Sequence, residues 1–276
     1  MPRATIEGKS CFYQDLGNGY PILFGHSYLW SSKMWEPQIK ELSKRFRCIV
    51  PDLWDHGGSD HLDKKETSIE LLSNQGWKLM EHLGISEFAI IGLSVGGMWG
   101  AELAFKHPEA VKALVLMDTF LGSEPEQTKK KYFFLLDTLE KEKRFSNALL
   151  DQIVPLFFSP FTANSNPGLI HHFRNTLAEI KQENIPGITS IGRAIFSREC
   201  KLNSLSKLEQ PTLFIVGKDD IPRPPMESQK MASYVLNSKV KVIEKAGHIS
   251  NLEQPESVTA ILEDFINKAV LTKVPS

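Results

Sequence analysis

The chain has 276 residues, 41% of them hydrophobic and 24% charged, a balance that excludes a disordered or fibrous protein and allows one substantial core with an inserted subdomain. Lysine and arginine total 32 against 33 aspartates and glutamates, and the formal net charge of -1 offers no broad field to nucleic acid or to an anionic membrane. A small, roughly neutral substrate fits this balance, and no nucleic-acid partner is expected. The segment from Met1 to Lys9 lacks the apolar centre of a signal peptide, and no apolar run approaches the ~20 residues of a membrane span. A cytoplasmic protein without a membrane span is the expectation.

Residues 9–15 alternate loosely and lead into Gly17-Asn18-Gly19, after which Pro21-Ile22-Leu23-Phe24 begins a second apolar run, so the spacing predicts a hairpin-like start. Ser32 is placed to cap a helix carrying Trp35, Ile39 and Leu42, and residues 47–52 resume as a strand. Ile69, Leu72, Leu79 and Leu83 mark a helix that stops near Gly84. Glu87-Phe88-Ala89-Ile90-Ile91 reads as a buried strand, residues 98–105 as a helix ending near Pro108, and residues 111–117 as another buried strand. This alternation predicts a mostly parallel sheet covered by helices on both faces.

From residue 120 to 210 the pattern changes to helical periodicity without a convincing strand. One helix runs through Tyr132, Leu135, Leu136 and Leu139, one through Leu149, Ile153 and Leu156, one through Leu169, Phe173, Leu177 and Ile180, and a shorter one spans residues 191–196. Pro155, Pro160, Pro167 and Pro186 punctuate them. The segment 120–210 is therefore expected to be a helical cap inserted into a core made of residues 1–119 and 211–276. Strands return at residues 211–216 and 240–243, with helices over residues 226–236 and 256–269, and the tail after Leu271 is expected to fray. Cys11, Cys48 and Cys200 are far apart and in no metal-ligand spacing, so buried free thiols are expected and no disulfide, metal or cofactor.

Between the Glu87 strand and the helix after it stands Gly92-Leu93-Ser94-Val95-Gly96-Gly97, a G-x-S-x-G pattern in the strand–turn–helix context that presents a nucleophile. Small residues at Gly92 and Gly96 let strand and helix approach, and a serine at the apex is pushed out above the sheet edge. A serine hydroxyl needs a base at neutral pH, and the base needs an acceptor on its other ring nitrogen. Two further strand ends supply candidates. Gly217-Lys218-Asp219-Asp220-Ile221-Pro222-Arg223-Pro224 follows one strand and Ala246-Gly247-His248-Ile249 follows the next, where open α/β sheets bind ligands.

With Ser94, an aspartate and His248 in this order, the chain resembles the α/β-hydrolase family, in its cap-bearing esterase, lactonase and perhydrolase branch. The likeness covers about residues 9–119 and 211–270 and is weak across the cap. It implies an α/β fold with an eight-stranded-type sheet and an acid in a G-x-x-D-x-x-x-P pattern, matched by Asp220 with Pro224. Asp219 beside it and Asp118, after the preceding strand, are the other candidates. It also implies a His-Gly oxyanion loop, matched by Gly25-His26-Ser27-Tyr28 with Ser27 in place of the usual glycine. The N–H groups of Tyr28 and Val95 would then bind the oxyanion, each such donor being worth roughly 3 to 4 kcal/mol. Asp52-Leu53-Trp54-Asp55-His56-Gly57-Gly58-Ser59 matches a family turn that supports the elbow, with Asp55 where glycine is common. His26, His171, His172 and the run Lys129-Lys130-Lys131 read as packing or solvated residues.

The resemblance implies hydrolysis of a small carboxylic ester or lactone through an acyl-enzyme, with catalytic Ser94, His248 and Asp220. Leu29, Trp30, Phe120, Leu121, Phe157, Phe158, Phe161 and Ile249 are the candidates to bind substrate in an apolar pocket. Relatives with the same triad form peracids or cleave carbon–carbon bonds, and a ligand sensor with little turnover is the reading of another class. The divergent cap withholds the substrate, and the sequence carries no signal of oligomeric state.

Overall fold

A computed structural model describes residues 2–62 and 67–271. Eight strands form one sheet: β1 (Arg3–Ile6), β2 (Lys9–Leu16), β3 (Tyr20–Gly25), β4 (Phe46–Pro51), β5 (Phe88–Leu93), β6 (Val111–Met117), β7 (Thr212–Gly217) and β8 (Ser238–Ile243). Their order is β1-β2-β4-β3-β5-β6-β7-β8. Only the pairs β1–β2 and β2–β4 are antiparallel. Every residue of β5 and β7 is buried, as befits interior parallel strands covered on both faces. Edge strand β8 instead carries exposed Lys239 and Lys241, charges that discourage pairing with another chain.

The helices of the core are α1 (Glu36–Leu42), α2 (Ile69–His82) and α3 (Val95–Lys106) before the helical segment, and three more after β7. Between β6 and β7 run α4 (Glu126–Glu142), α5 (Asn147–Ile153), α6 (Pro160–Ser165), α7 (Pro167–Ala178) and α8 (Ile185–Phe196), with no strand among them. After β7 come α9 (Pro225–Ala232), α10 (Ser250–Glu253) and α11 (Pro255–Ile266). Within the core α2 packs on α3 and α1 on α11. Hydroxyls of Ser68, Ser146 and Ser159 cap α2, α5 and α6 by accepting a backbone N–H of the first turn. Pro160, Pro167 and Pro186 occupy the first turn of α6, α7 and α8, where a missing N–H costs nothing.

Several expectations are corrected. The run ending at Asp15 and the run from Pro21 form no hairpin, because β4 lies between β2 and β3 and takes the hydrogen bonds of both. Strand β1 and helix α6 had no sequence signal, being short and partly polar. Ser32 does not cap α1; its N–H donates to Asp52 Oδ1 at 2.6 Å, and a 3-10 turn precedes the helix. Cys11 and Cys48 are buried but Cys200 is exposed, just beyond the end of α8. The tail beyond Leu271 lies outside the described residues.

The register sets the carboxyl ends of β3, β5, β6, β7 and β8 along one sheet edge, with Gly25 beside Gly92, Leu93 beside Met117, Met117 beside Ile215 and Gly217 beside Ile243. The loops after these ends carry Tyr28, Ser94, Asp118, Asp220 and His248. Chain positions more than 200 residues apart in sequence thus converge at one edge.

Candidate active site

Ser94 links β5 to α3 with φ 57° and ψ −118°, a conformation an L-residue adopts only when its surroundings enforce it. They do so here through close backbone packing. A Cβ on Gly96 would lie 2.1 Å from the Gly25 carbonyl oxygen, so β3 can approach α3 only with glycine at that position. The Ser94 N–H donates to the Met117 carbonyl at 2.9 Å, and the Ser94 carbonyl accepts from the N–H of Gly97 and Met98. The Thr119 hydroxyl adds a bond to the same carbonyl at 2.7 Å. With its own backbone tied on both sides, Ser94 has only its side chain left to move.

The Ser94 hydroxyl lies 3.0 Å from His248 Nε2, and His248 Nδ1 lies 3.1 and 3.0 Å from the two carboxylate oxygens of Asp220. All three residues are buried. Burial pushes the His248 imidazole down from its ordinary 6.5 to about 4, against the opposite pull of Asp118, so the ring is neutral at pH 7 as a base must be. Burial raises the Asp220 carboxyl, while the Arg223 N–H, donating at 2.9 Å, draws it down. Asp219 is exposed and its N–H bonds the Ala246 carbonyl, so it does not face the imidazole. Asp118 is fully buried and accepts instead from the Gly217 N–H at 2.8 Å and the Ser250 hydroxyl at 2.5 Å. It ties together the loops that carry Asp220 and His248.

On the other side of Ser94, the loop after β3 is pinned by two histidines. His56 Nε2 accepts the Leu29 N–H at 3.2 Å and His26 Nε2 accepts the Leu53 N–H at 2.9 Å, while their Nδ1 atoms face the carbonyls of Trp54 and Ser27. Both rings must therefore be neutral with the proton on Nδ1, and burial pushes both down to about 4. The Ser27 N–H meets Met34 Sδ and the Trp30 N–H meets the Ser27 carbonyl. Among the described residues, the N–H groups of Tyr28 in this stretch and of Val95 at the start of α3 have no acceptor in the protein. Asp55 has φ 60°, which explains why glycine suits its position, and its carboxylate accepts from the Leu62 N–H and meets His61 Nδ1 at 3.0 Å.

Ser94 and His248 open on a cavity of about 80 Å³. Its walls come from the loop after β3 (Ser27, Tyr28, Leu29), from Met98 of α3, from Pro222 and Arg223, and above all from the helical segment. There Tyr132, Leu135, Leu136, Leu139, Phe145, Ile153, Leu156, Phe157, Ile195 and Phe196 line it. Of the side chains expected to bind substrate, Leu29 and Phe157 are in this lining, the Phe157 ring standing edge-on to His248 at 5.6 Å. The others lie elsewhere. Trp30 stacks on Phe173 at 4.3 Å, Phe158 packs edge-on to both, and Ile249 is buried at the start of α10. Phe120 is buried with its carbonyl bonded to Arg198, and Leu121 lines a separate, more polar cavity beyond Met98. The expectation for Phe161 is corrected, because its ring is 41% exposed and faces Lys245 Nζ at 4.7 Å. Most of the lining lies outside the expected set, above all the periodic leucines of α4 and the end of α8, because helical spacing marks an apolar face without showing what it faces.

Behind Arg223 lies a network of buried charges. Glu124 Oε1 accepts from Arg198 Nη1 at 2.9 Å and from Arg223 Nη2, and Arg223 Nη1 stands 3.5 Å from Glu227 Oε2. Glu124 precedes α4 and Arg198 follows α8, so the two ends of the helical segment meet at the loop that carries Asp220. Glu253 makes a second tie, accepting from the N–H groups of Gly247 and Ser159 and from the Thr162 hydroxyl at 2.6 to 2.7 Å.

Similarity to known proteins follows the same lines. A family model described as alpha/beta hydrolase fold matches residues 20–255. The structure of a thermophilic esterase from Thermogutta terrifontis, solved with malate bound, superposes with a TM-score of 0.90 at 27% identity, covering 98% of this chain and 99% of that one. The enol-lactonase from Burkholderia xenovorans LB400 gives 0.86 at 25% identity, over 96% and 100%. 3-oxoadipate enol-lactonase 2 of Acinetobacter baylyi is 24% identical over 247 residues, covering 90% of this chain and 88% of its own. The chain belongs to the alpha/beta hydrolase fold family and is an esterase/lactonase-like hydrolase.

Proposed function

We propose that the protein is a serine hydrolase that cleaves a small carboxylic ester or lactone through an acyl-enzyme on Ser94, His248 and Asp220. The carrying observation is the unbroken line from the Asp220 carboxylate through His248 to the Ser94 hydroxyl, opening on an apolar cavity. Ser94 Oγ attacks the carbonyl carbon as its proton passes to His248 Nε2, and Asp220 accepts the Nδ1–H and stabilises the imidazolium. The developing oxyanion takes the N–H groups of Tyr28 and Val95, neither of which has a protein acceptor among the described residues. His248 then returns the proton to the leaving alcohol, which in a lactone stays tethered to the acyl group. Water, deprotonated by the same ring, releases the acid and restores Ser94.

In this reading residues 120–210 act as a cap that supplies most of the pocket wall and sets which acyl group fits. Among the described residues no helix is long and apolar enough to cross a membrane. A panel of p-nitrophenyl esters of graded acyl length and simple lactones tests the proposal, with Ser94→Ala as control. Hydrolysis lost in the variant, together with a mass increase of one acyl group on Ser94 in the wild type, is expected. Undiminished hydrolysis by Ser94→Ala would refute the assignment.

A further inference from the structure

Among the described residues Arg223 is the one arginine or lysine in the wall of the cavity that holds Ser94 and His248, and its position is that of an anchor for a substrate carboxylate. Its charge is already spent. One side of the guanidinium bonds Glu124 and the other faces Glu227, and Glu124 also takes Arg198, so two carboxylates match two guanidiniums. Arg223, Arg198 and Glu124 have side chains no more than 5% exposed, so solvent neither screens nor replaces these partners. Of the remaining polar groups, the Tyr28 hydroxyl is engaged with the Ile188 carbonyl at 2.8 Å, the Ser27 hydroxyl faces the Tyr28 carbonyl at 3.5 Å, the His248 ring is neutral and turned to Ser94 and Asp220, and the Tyr132 hydroxyl offers a donor without charge. A carboxylate entering this apolar space would lose its hydration and meet a wall with no net charge.

Resting on the ester-hydrolase reading above, we infer that the pocket selects uncharged acyl groups and that Glu227, by masking Arg223, sets this specificity. Glu227 makes its close ion pair with Arg223 and reaches Arg198 only through the longer-range field, whereas Glu124 bonds both guanidiniums directly. Neutralising Glu227 would leave one guanidinium charge uncompensated beside the cavity, which would then accept a carboxylate at the far end of an acyl chain.

Three substrates of one chain length read this directly: p-nitrophenyl hexanoate, the mono-p-nitrophenyl ester of adipic acid, and the same adipate ester methylated at its free carboxyl. The wild type is expected to favour hexanoate over the charged adipate ester in kcat/KM by roughly a hundredfold or more, and methylation is expected to restore most of the loss. In Glu227→Gln the hexanoate-to-adipate ratio is expected to narrow by roughly tenfold, chiefly through a lower KM for the charged ester. Equal turnover of hexanoate and the charged adipate ester by the wild type would overturn the inference without any variant. So would a ratio unchanged in a folded Glu227→Gln enzyme, or a methylated ester as poor as the charged one, since size and not charge would then decide. Failure of all three esters with the wild type would instead count against the ester-hydrolase reading itself.

Discussion

Around Ser94 the backbone is held by backbone, whereas residues 120–210 reach the same cavity through side chains. The elbow rests on the Gly25–Gly96 approach, on the bonds of the Ser94 N–H and carbonyl, and on strands buried on both faces. The helical segment docks with leucine and phenylalanine side chains and with a few polar ties at its ends, such as Glu124 to Arg223 and Glu253 to Ser159. Backbone contacts fix positions to a fraction of an ångström and tolerate no added atom. Side-chain contacts can be exchanged one at a time, at the cost of volume and stability. On the proposed reading chemistry belongs to the first region and selectivity to the second, and substitutions in the two should fail in different ways.

The largest effect is expected at the nucleophile. Ser94→Ala should lower kcat by roughly 10⁴-fold or more while leaving the thermal unfolding midpoint close to that of the wild type, because the hydroxyl carries the reaction and little of the packing. Gly96→Ala attacks the backbone instead. Its Cβ must push β3 from α3, so a loss of about 1 to 3 kcal/mol in urea denaturation and a fall of roughly 100-fold in kcat should appear together. A Gly96→Ala enzyme with full activity would mean that the elbow is less tightly built than the comparison holds.

Acid should also strike the core before the helical segment. His26, His56 and His248 are each pushed down by burial from 6.5 to about 4, so below pH 6.5 the unfolded chain binds protons that the folded chain does not. Stability is then complete above about pH 6.5 and declines as pH falls toward 4, by up to about 3 kcal/mol per histidine. Activity follows the single ring of His248, so the acid limb of kcat/KM should lie well below 6.5, near 4, if the protein is still folded there. A limb at 6.5 or above would contradict this account of the imidazole.

Leu136→Ala tests the other region. Leu136 lines the cavity and is 5% exposed, so its truncation should cost about 2 kcal/mol, at the low end for a leucine because it borders a space already present. The expected functional change is a shift of the best p-nitrophenyl ester toward longer acyl chains, with kcat on a short ester nearly retained. Phe161→Ala should do least. With its ring exposed beside Lys245, a change within about 0.5 kcal/mol and acyl preference like that of the wild type are expected, and an altered ester profile would bring Phe161 back into the pocket.

Legibility in the sequence followed the same division. Ser94, Asp220 and His248 stand at strand ends flanked by glycine and proline, features that local chemistry imposes on any chain making these turns. The strands β3 to β7 were readable because their apolar runs are short and bounded, and β8 because valine alternates with lysine along it. The pairing of β2 with β4 was not, since strand order depends on which edge is free in space and leaves no mark on neighbouring residues. The pocket wall was the weakest point. Leu135, Leu136 and Leu139 announced a helix with an apolar face, but an apolar face packs equally well on a core or around a ligand.

By itself the sequence determined the α/β alternation, the turn at Ser94 and the reactive groups along the carboxyl edge, because periodicity, glycine placement and chain order are local properties. The tertiary structure decided that Asp220 and not Asp219 or Asp118 meets His248, that the Tyr28 N–H is left without an acceptor, and that Arg223 is neutralised where it borders the cavity. Each of these depends on distances between residues remote in the chain, and only the packed fold sets such distances.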